Sequence, residues 1–219
     1  MHALYSFVAG PLVWVALIIF IGGSLYRLIS MGLLAREKDS AVYTYMDTEY
    51  ALRSIFHWII PFASVNSRRR PVLSIVTFVF HLCLIITPLF LFAHVVLINE
   101  NFNIAWPTLP DGLADTMTLL VIGACVFFLV RRMTQPEVKY LTAPSDFIVL
   151  GIVAAPFITG FWAYHQWPGF QWMMILHILA GEAMLVAIPF TRLSHMLFFP
   201  FTRGYIGSEF GAVRKVRDW

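Results

Sequence analysis

Five apolar runs, each about twenty residues long, dominate this sequence and restrict the folds open to it. They cover roughly residues 7–29, 72–98, 113–130, 147–164 and 172–199. A helix rises about 1.5 Å per residue, so about twenty apolar residues cross the ~30 Å hydrocarbon core of a bilayer. Charged residues make up 12% of the chain, about half the share in a soluble domain. The sequence therefore predicts an all-α integral membrane protein, a five-transmembrane-helix bundle that forms a single domain over residues 1–219.

The fifteen Lys and Arg residues are confined to three parts of the chain. They lie at or between the first two apolar runs, between the third and fourth, and at or after the end of the fifth. Because cytoplasmic segments collect positive charge, this pattern predicts an N-terminus outside and a cytoplasmic C-terminus. Residues 31–70 would then form a cytoplasmic or interfacial segment. Residues 201–219 would form a basic cytoplasmic tail able to lie on anionic lipid or to dock a cytoplasmic subunit.

The two cysteines, Cys83 and Cys125, both lie inside apolar runs. No pair forms a CxxC or CxxCH motif, which excludes a covalently attached haem c and an iron–sulfur cluster within this chain. Both are predicted to be small core residues.

Four histidines lie inside apolar runs, where histidine is rare and marks a functional site. His81 and His94 share the second run, and His177 and His195 share the fifth. Eighteen residues of helix return His195 to the face of His177, whereas thirteen leave His81 and His94 about 140° apart. Pro88, between them, would distort that helix and change the phase. Matching depth pairs His81 with His195 and His94 with His177, which predicts two bis-histidine haems b stacked across the bilayer.

The inner pair, His81 and His195, is the safer prediction because the outer pair depends on the distortion near Pro88. Two alternatives remain open: a single haem held by His81 and His195, and a non-redox membrane anchor or proton-conducting subunit. His57, in an interfacial aromatic stretch, and His165, at the end of the fourth run, are not expected to be ligands, and neither is the terminal His2.

The run LHILAGEAMLVAIPFTRLSHMLFFP resembles the last helix of the gamma subunit of respiratory nitrate reductase, a membrane dihaem cytochrome b. The matching elements are Leu176 with His177, Gly181, the run 189–193 and His195. The stretches RRMTQPEVKYLTAPSDFIVL and IIFIGGSLYRL are similar to other helices of that subunit. The likeness touches four of the five predicted spans.

Two features differ from nitrate reductase gamma. The histidine spacing in the second run is longer by about one helical turn, and the loop 99–112 lacks the basic residue that the nitrate reductase subunit uses at its quinol site. The form FxFHLCLIITPLFLFAHVVL and the enlarged segment 31–70 look more like the cytochrome b subunits of sulfate-reducer transmembrane redox complexes, of the Hmc, Tmc and Dsr types.

The resemblance implies two haems b, with His81, His94, His177 and His195 as iron ligands, and a quinone, expected to be menaquinone, near the outer haem. It implies an electron-transfer subunit in a bacterial inner membrane rather than a stand-alone enzyme, with no catalytic residue of its own. The implied partners are a periplasmic multihaem cytochrome c, a cytoplasmic iron–sulfur subunit similar to heterodisulfide reductase, other membrane subunits and lipid. Nucleic acid is not an expected partner.

Further candidates are charged residues near the predicted ligands. Arg192 lies three residues before His195, where it could meet a haem propionate or anchor the inner edge of the span. Glu182 lies inside the fifth run, where a carboxylate is costly unless it is partnered, protonated or facing water. Glu100, Asp111 and Asp115 lie on the outer side, where they could exchange quinone protons or simply be solvated.

Overall fold

The computed structural model describes residues 1–219, of which 84% are helical and none are in strands. Five helical stretches are long and apolar enough to cross a membrane. They are His2–Lys38, Pro71–Phe90, Asp111–Thr134, Pro144–Tyr164 and Phe170–Phe190. The prediction of an all-α chain with five candidate membrane spans is confirmed.

Twelve α-helices make up most of the chain, and short π or 3-10 turns join some of them. The helices are α1 (His2–Phe7), α2 (Val13–Lys38), α3 (Ala41–Tyr45), α4 (Thr48–Ile59), α5 (Val65–Arg69), α6 (Pro71–Phe90), α7 (Phe92–Phe102), α8 (Asp111–Thr134), α9 (Pro136–Leu141), α10 (Pro144–Tyr164), α11 (Phe170–Phe190) and α12 (His195–Ser208).

Proline opens three of these helices, at Pro71, Pro136 and Pro144. The first helical N–H groups have no partner within the helix, so the missing N–H of proline is tolerated there. The buried carboxylate of Asp146 accepts a hydrogen bond from the backbone amide three residues earlier, at 2.9 Å. It also lies 3.6 Å from the guanidinium of Arg132, which ties the end of α8 to the start of α10.

The second predicted span is broken. Helix α6 ends at Phe90, Leu91 is extended (φ −67°, ψ 131°), and α7 begins at Phe92. The expected distortion is present, but it lies three residues beyond Pro88. The prediction of a single helix over 72–98 is therefore wrong, and His94 lies in the first turn of a new helix.

The fifth predicted span is also broken. Helix α11 ends at Phe190, Thr191 is extended, and a 3-10 turn, Arg192–Ser194, leads into α12 at His195. The prediction that His177 and His195 share one face of one helix is wrong, because the helical phase is interrupted at Thr191.

The chain divides into two compact units: Met1–Ala9 with Val76–Gly181, and Gly10–Ile75 with Glu182–Trp219. In the first unit, α8 packs against α10, and Val121, Val153 and Phe157 are buried. Phe80 meets Phe128 edge to face, with ring centroids 5.3 Å apart. Cys83 and Cys125 are buried and unpaired, as the sequence predicts.

In the second unit, α4 packs closely against α12 and the turn that follows it. A Cβ at Gly207 would overlap Ser54, and one at Gly211 would overlap the ring of Tyr50. The close approach of α4 to these two positions therefore requires glycine at both. The segment 201–219 is therefore not a loose tail, because most of it is helical and packed on α4.

An ion pair joins the end of the chain to this interface. The Arg203 guanidinium pairs with the Asp218 carboxylate, and their side chains are only 12% and 3% exposed. The Ser54 hydroxyl donates a hydrogen bond of 2.5 Å to the same carboxylate. Burial lowers the pKa of Arg203, and the neighbouring Asp218 carboxylate opposes that shift.

Candidate bis-histidine site

The break in the second span frees three backbone carbonyls at the end of α6, and each finds a new donor. The Pro88 carbonyl accepts from Nδ1–H of His94, the Leu89 carbonyl from Nε1–H of Trp106, and the Phe90 carbonyl from N–H of Leu109, each at 2.8 Å. Within a membrane an unpaired carbonyl costs several kcal/mol. The break therefore orients the His94 ring and anchors the following loop with the same set of bonds.

His177 on α11 is held by α10. Its Nδ1 lies 2.8 Å from the carbonyl oxygen of Pro156. Because a carbonyl oxygen can only accept, Nδ1 carries the proton and Nε2 keeps its lone pair. A Cβ at Gly160 would lie 2.8 Å from Nδ1 and Cε1 of His177, so this ring position requires a glycine on α10.

The rings of His94 and His177 lie close together and nearly parallel. Their centroids are 5.9 Å apart and their planes differ by 12°. Metal–imidazole bonds of about 2.0 Å, with each ring centroid about 1.1 Å behind its nitrogen, place the centroids of two axial imidazoles about 6 Å apart. The observed centroid separation of 5.9 Å is close to that spacing.

No three His, Cys, Asp or Glu side chains converge in a way that could hold a metal ion on their own. Haem does not need such a group, because the porphyrin supplies four nitrogens and the protein adds only axial ligands. The two facing histidines therefore fit haem and do not fit a bare structural zinc, which takes four protein ligands.

The two other predicted ligands show the same ring orientation. His81 places Nδ1 2.8 Å from the Thr77 carbonyl, and His195 places Nδ1 2.8 Å from the Arg192 carbonyl. His81 belongs to the first compact unit and His195 to the second. In each imidazole Nδ1 thus donates to a backbone carbonyl, a bond that metal-ligating histidines commonly make.

This tautomer alone does not mark a ligand. His57 on α4 has the same arrangement, with Nδ1 2.9 Å from the Arg53 carbonyl, yet its ring lies 4.2 Å from the ring of Trp219. The close approach of two nearly parallel imidazoles, and not the local hydrogen bond, distinguishes His94 and His177.

The predicted carboxylates have different environments. Glu182 is 7% exposed and neither of its carboxylate oxygens has a hydrogen-bond partner. Glu100 on α7 and Asp111 at the start of α8 are exposed. Asp115 lies 3.2 Å from Nε2 of His165. Arg192, exposed in the 3-10 turn, contributes its carbonyl to His195.

Sequence reasoning missed the contact of Gly160 with His177 and the pairing of His165 with Asp115. No sequence signal singles out Gly160 beyond its being a glycine inside an apolar helix. A signal for His165 does exist. The third and fourth spans run in opposite directions, so the start of one and the end of the other lie on the same side of the membrane. That alternation brings Asp115 to His165.

A comparison with known proteins identifies a full-length relative. A protein of Nitratidesulfovibrio vulgaris (strain Hildenborough) is 36% identical over 215 residues, which cover 96% of this chain and 95% of the relative. The chain belongs to the same family as that protein. The relative's description, "Protein", names no activity for the family. No protein-family model matches the chain. No solved structure matches it either.

Proposed function

We propose that this chain is a dihaem cytochrome b, the membrane subunit of a respiratory oxidoreductase in a bacterial inner membrane. The observation that carries the proposal is the near-parallel pair His94 and His177, at a separation suited to two axial ligands of one iron. The similarity to nitrate reductase gamma and to the sulfate-reducer cytochromes b supports it. Two of the proposed iron ligands come from this pair, and the other two are His81 and His195.

The residues of the chain have defined tasks in this function. Each ligand histidine donates Nδ1–H to a backbone carbonyl, which fixes its ring and raises the basicity of Nε2. Bound haem supplies one-electron transfer. Arg192 would place a positive charge near a haem propionate.

The positive-inside pattern supports an N-terminus outside, with His94 and His177 towards the exterior. Electrons would pass between menaquinone or a periplasmic multihaem cytochrome c on that side and a cytoplasmic iron–sulfur subunit on the other. The segment 31–70 and the packed segment 201–219 would lie on the cytoplasmic side, where such a subunit docks.

The structure changes which histidine pair is favoured as the ligand pair of a single haem. In the sequence, the pair His81 and His195 is the safer one, whereas the geometry favours the pair His94 and His177. A single-haem protein would therefore retain the outer pair. The rival non-redox anchor, in which histidines carry protons, predicts a colourless purified protein.

The test is a reduced-minus-oxidised spectrum with haem quantification on purified full-length protein. Wild type and His57→Ala are expected to contain two haems b per chain, whereas His94→Ala and His177→Ala contain one. His57 is the matched control because its Nδ1 also bonds to a carbonyl. Two haems in His94→Ala would remove that residue from the ligand set, and wild type without haem would refute the cytochrome assignment.

A further inference from the structure

An acid–histidine pair joins α8 to the end of α10, apart from the facing histidines. Nε2 of His165 lies 3.2 Å from Oδ2 of Asp115, and each side chain is 32% exposed. Because a carboxylate accepts, Nε2 carries the proton and Nδ1 keeps a lone pair. Nδ1 makes no hydrogen bond within the protein. This is the opposite tautomer from that of the four proposed ligands, and it leaves an accepting nitrogen open to a small molecule.

Aromatic rings surround His165. The ring centroid of Phe161 lies 4.3 Å away, that of Tyr164 5.3 Å away, and that of Trp167 6.0 Å away at 30°. Planar apolar rings beside a polar acceptor suit a planar ligand with a hydroxyl group. The other titratable groups here are Asp111 and Tyr164, whose hydroxyl faces the Asp111 carboxylate.

The pair lies close to the facing histidines along α10. Gly160 lies against the His177 ring, and His165 follows five residues later, about 7.5 Å along the helix axis. All of these residues belong to the first compact unit. His165 is therefore about one and a half turns from Gly160 along the axis of α10 and ~140° around it, which puts α10 between the proton acceptor and the proposed electron acceptor.

We propose that His165, assisted by Asp115, accepts the protons of a hydroquinone oxidised beside the His94–His177 pair; this inference rests on the proposed function. Oxidation of a hydroquinone to a quinone breaks two O–H bonds and releases two electrons and two protons. Two bound haems would each take one of the electrons. Nδ1 of His165 takes the first proton, passes it to water at the outer face, and then takes and releases the second in the same way. The Asp115 carboxylate stabilises the imidazolium ion during each transfer.

The test is the rate at which menadiol reduces the haem of the purified full-length protein, followed by absorbance from about pH 5 to about pH 8. The wild-type rate is expected to rise with pH, because only the neutral imidazole accepts a proton. In His165→Gln the rate falls by about 10²-fold and loses this rise, as expected for removal of a general base. Asp115→Asn behaves similarly, Asp115→Glu retains most of the rate, and His2→Ala, at an exposed histidine, matches wild type.

Infrared difference spectra provide a readout that does not depend on rate. In time-resolved spectra, a transient imidazolium band should appear while menadiol reduces the haem of wild type, and it should be absent from His165→Gln.

Each failure has its own signature. A wild-type rate and pH profile in His165→Gln overturn the inference and leave the proposed function intact. If dithionite reduces the wild-type haem but menadiol does not, the inference is overturned while the cytochrome assignment survives. Loss of haem from both His165→Gln and Asp115→Asn would show that the pair has a structural role in joining α8 to α10. That result also overturns the inference. Wild type without haem refutes the proposed function itself.

Discussion

Gly160 is the residue on which the position of the His177 ring depends. A Cβ added there would lie 2.8 Å from two ring atoms, and the ring cannot retreat freely because it is hydrogen-bonded to the Pro156 carbonyl. In an open helix, replacing glycine with alanine stabilises the fold by about 0.5–1 kcal/mol. At Gly160 the clash works against that gain.

We expect Gly160→Ala to displace His177 and, under the proposed dihaem function, to reduce the haem content from two per chain to one. Gly151 is the matched control, because it lies on the same helix and a Cβ there would meet nothing within 4 Å. Haem quantification on both variants checks the prediction. Equal haem in Gly160→Ala and Gly151→Ala would show that the ring position is not critical.

At the scale of single residues, the sequence predicts which side chains belong to the site better than it predicts what those side chains contact. His94 and His177 stand out because histidine is rare in apolar spans. Their contacts do not stand out, because the Pro156 carbonyl and Gly160 carry no chemical signal of their own. Asp115 is found as an acid near the outer side, but its pairing with His165 requires the two helix ends to be brought together.

The break between α6 and α7 is the element that orients His94 and holds the loop between α7 and α8. The Trp106 indole donates to the Leu89 carbonyl at 2.8 Å. Trp106→Phe replaces the indole with a smaller aromatic ring that has no donor, and loss of the hydrogen bond is expected to lower the stability by about 1 kcal/mol. Thermal unfolding in detergent measures the loss. Trp172→Phe is the control, because the Trp172 indole is 54% exposed and makes no hydrogen bond. Equal losses in both variants would contradict a role for the Leu89 bond.

Helical periodicity fails here for a physical reason. The ~140° mismatch between His81 and His94 assumes one continuous helix, whereas the break at Leu91 restarts the phase before His94. A similar break at Thr191 restarts it before His195. Each of these histidines lies six residues after a proline, Pro88 or Pro189. Proline alone does not locate the breaks, because Pro156 lies inside an unbroken helix.

At the scale of the whole molecule, segments far apart in sequence meet where Ser54 of α4 contacts the buried ion pair of Arg203 and Asp218. Removing one partner of a buried ion pair costs about 3–5 kcal/mol, because the remaining charge is left without its partner. We expect Asp218→Ala to loosen the segment 201–219 from α4. Hydrogen exchange of the α4 amides measures this, and faster exchange is the expected result.

The control is Glu209→Gln, which removes the partner of Arg214 in an ion pair whose arginine is 57% exposed. Exposed pairs contribute about 0–1 kcal/mol, so this variant should exchange like wild type. If Asp218→Ala also exchanges like wild type, the Arg203 pair does not hold the segment in place.

At the scale of the molecule, composition and run length predict the five spans, because a bilayer demands about twenty apolar residues of each. The packing of the segment 201–219 on α4 is not predicted. Its basic residues predict a cytoplasmic tail that lies on anionic lipid or docks a subunit, whereas the packing depends on small residues, Gly207 and Gly211, that fit against Ser54 and Tyr50. Such shape complementarity exists only once both segments are folded.

The 12° angle between the rings of His94 and His177 would also set the magnetism of any iron that both imidazoles ligate. Parallel imidazole planes interact with the same metal d orbital, so they separate the energies of the two d orbitals of π symmetry. Perpendicular planes leave those two orbitals nearly degenerate. The carbonyls of Pro88 and Pro156 fix the orientation of the two rings. This orientation would therefore determine which d orbital of a bound ferric iron holds the unpaired electron.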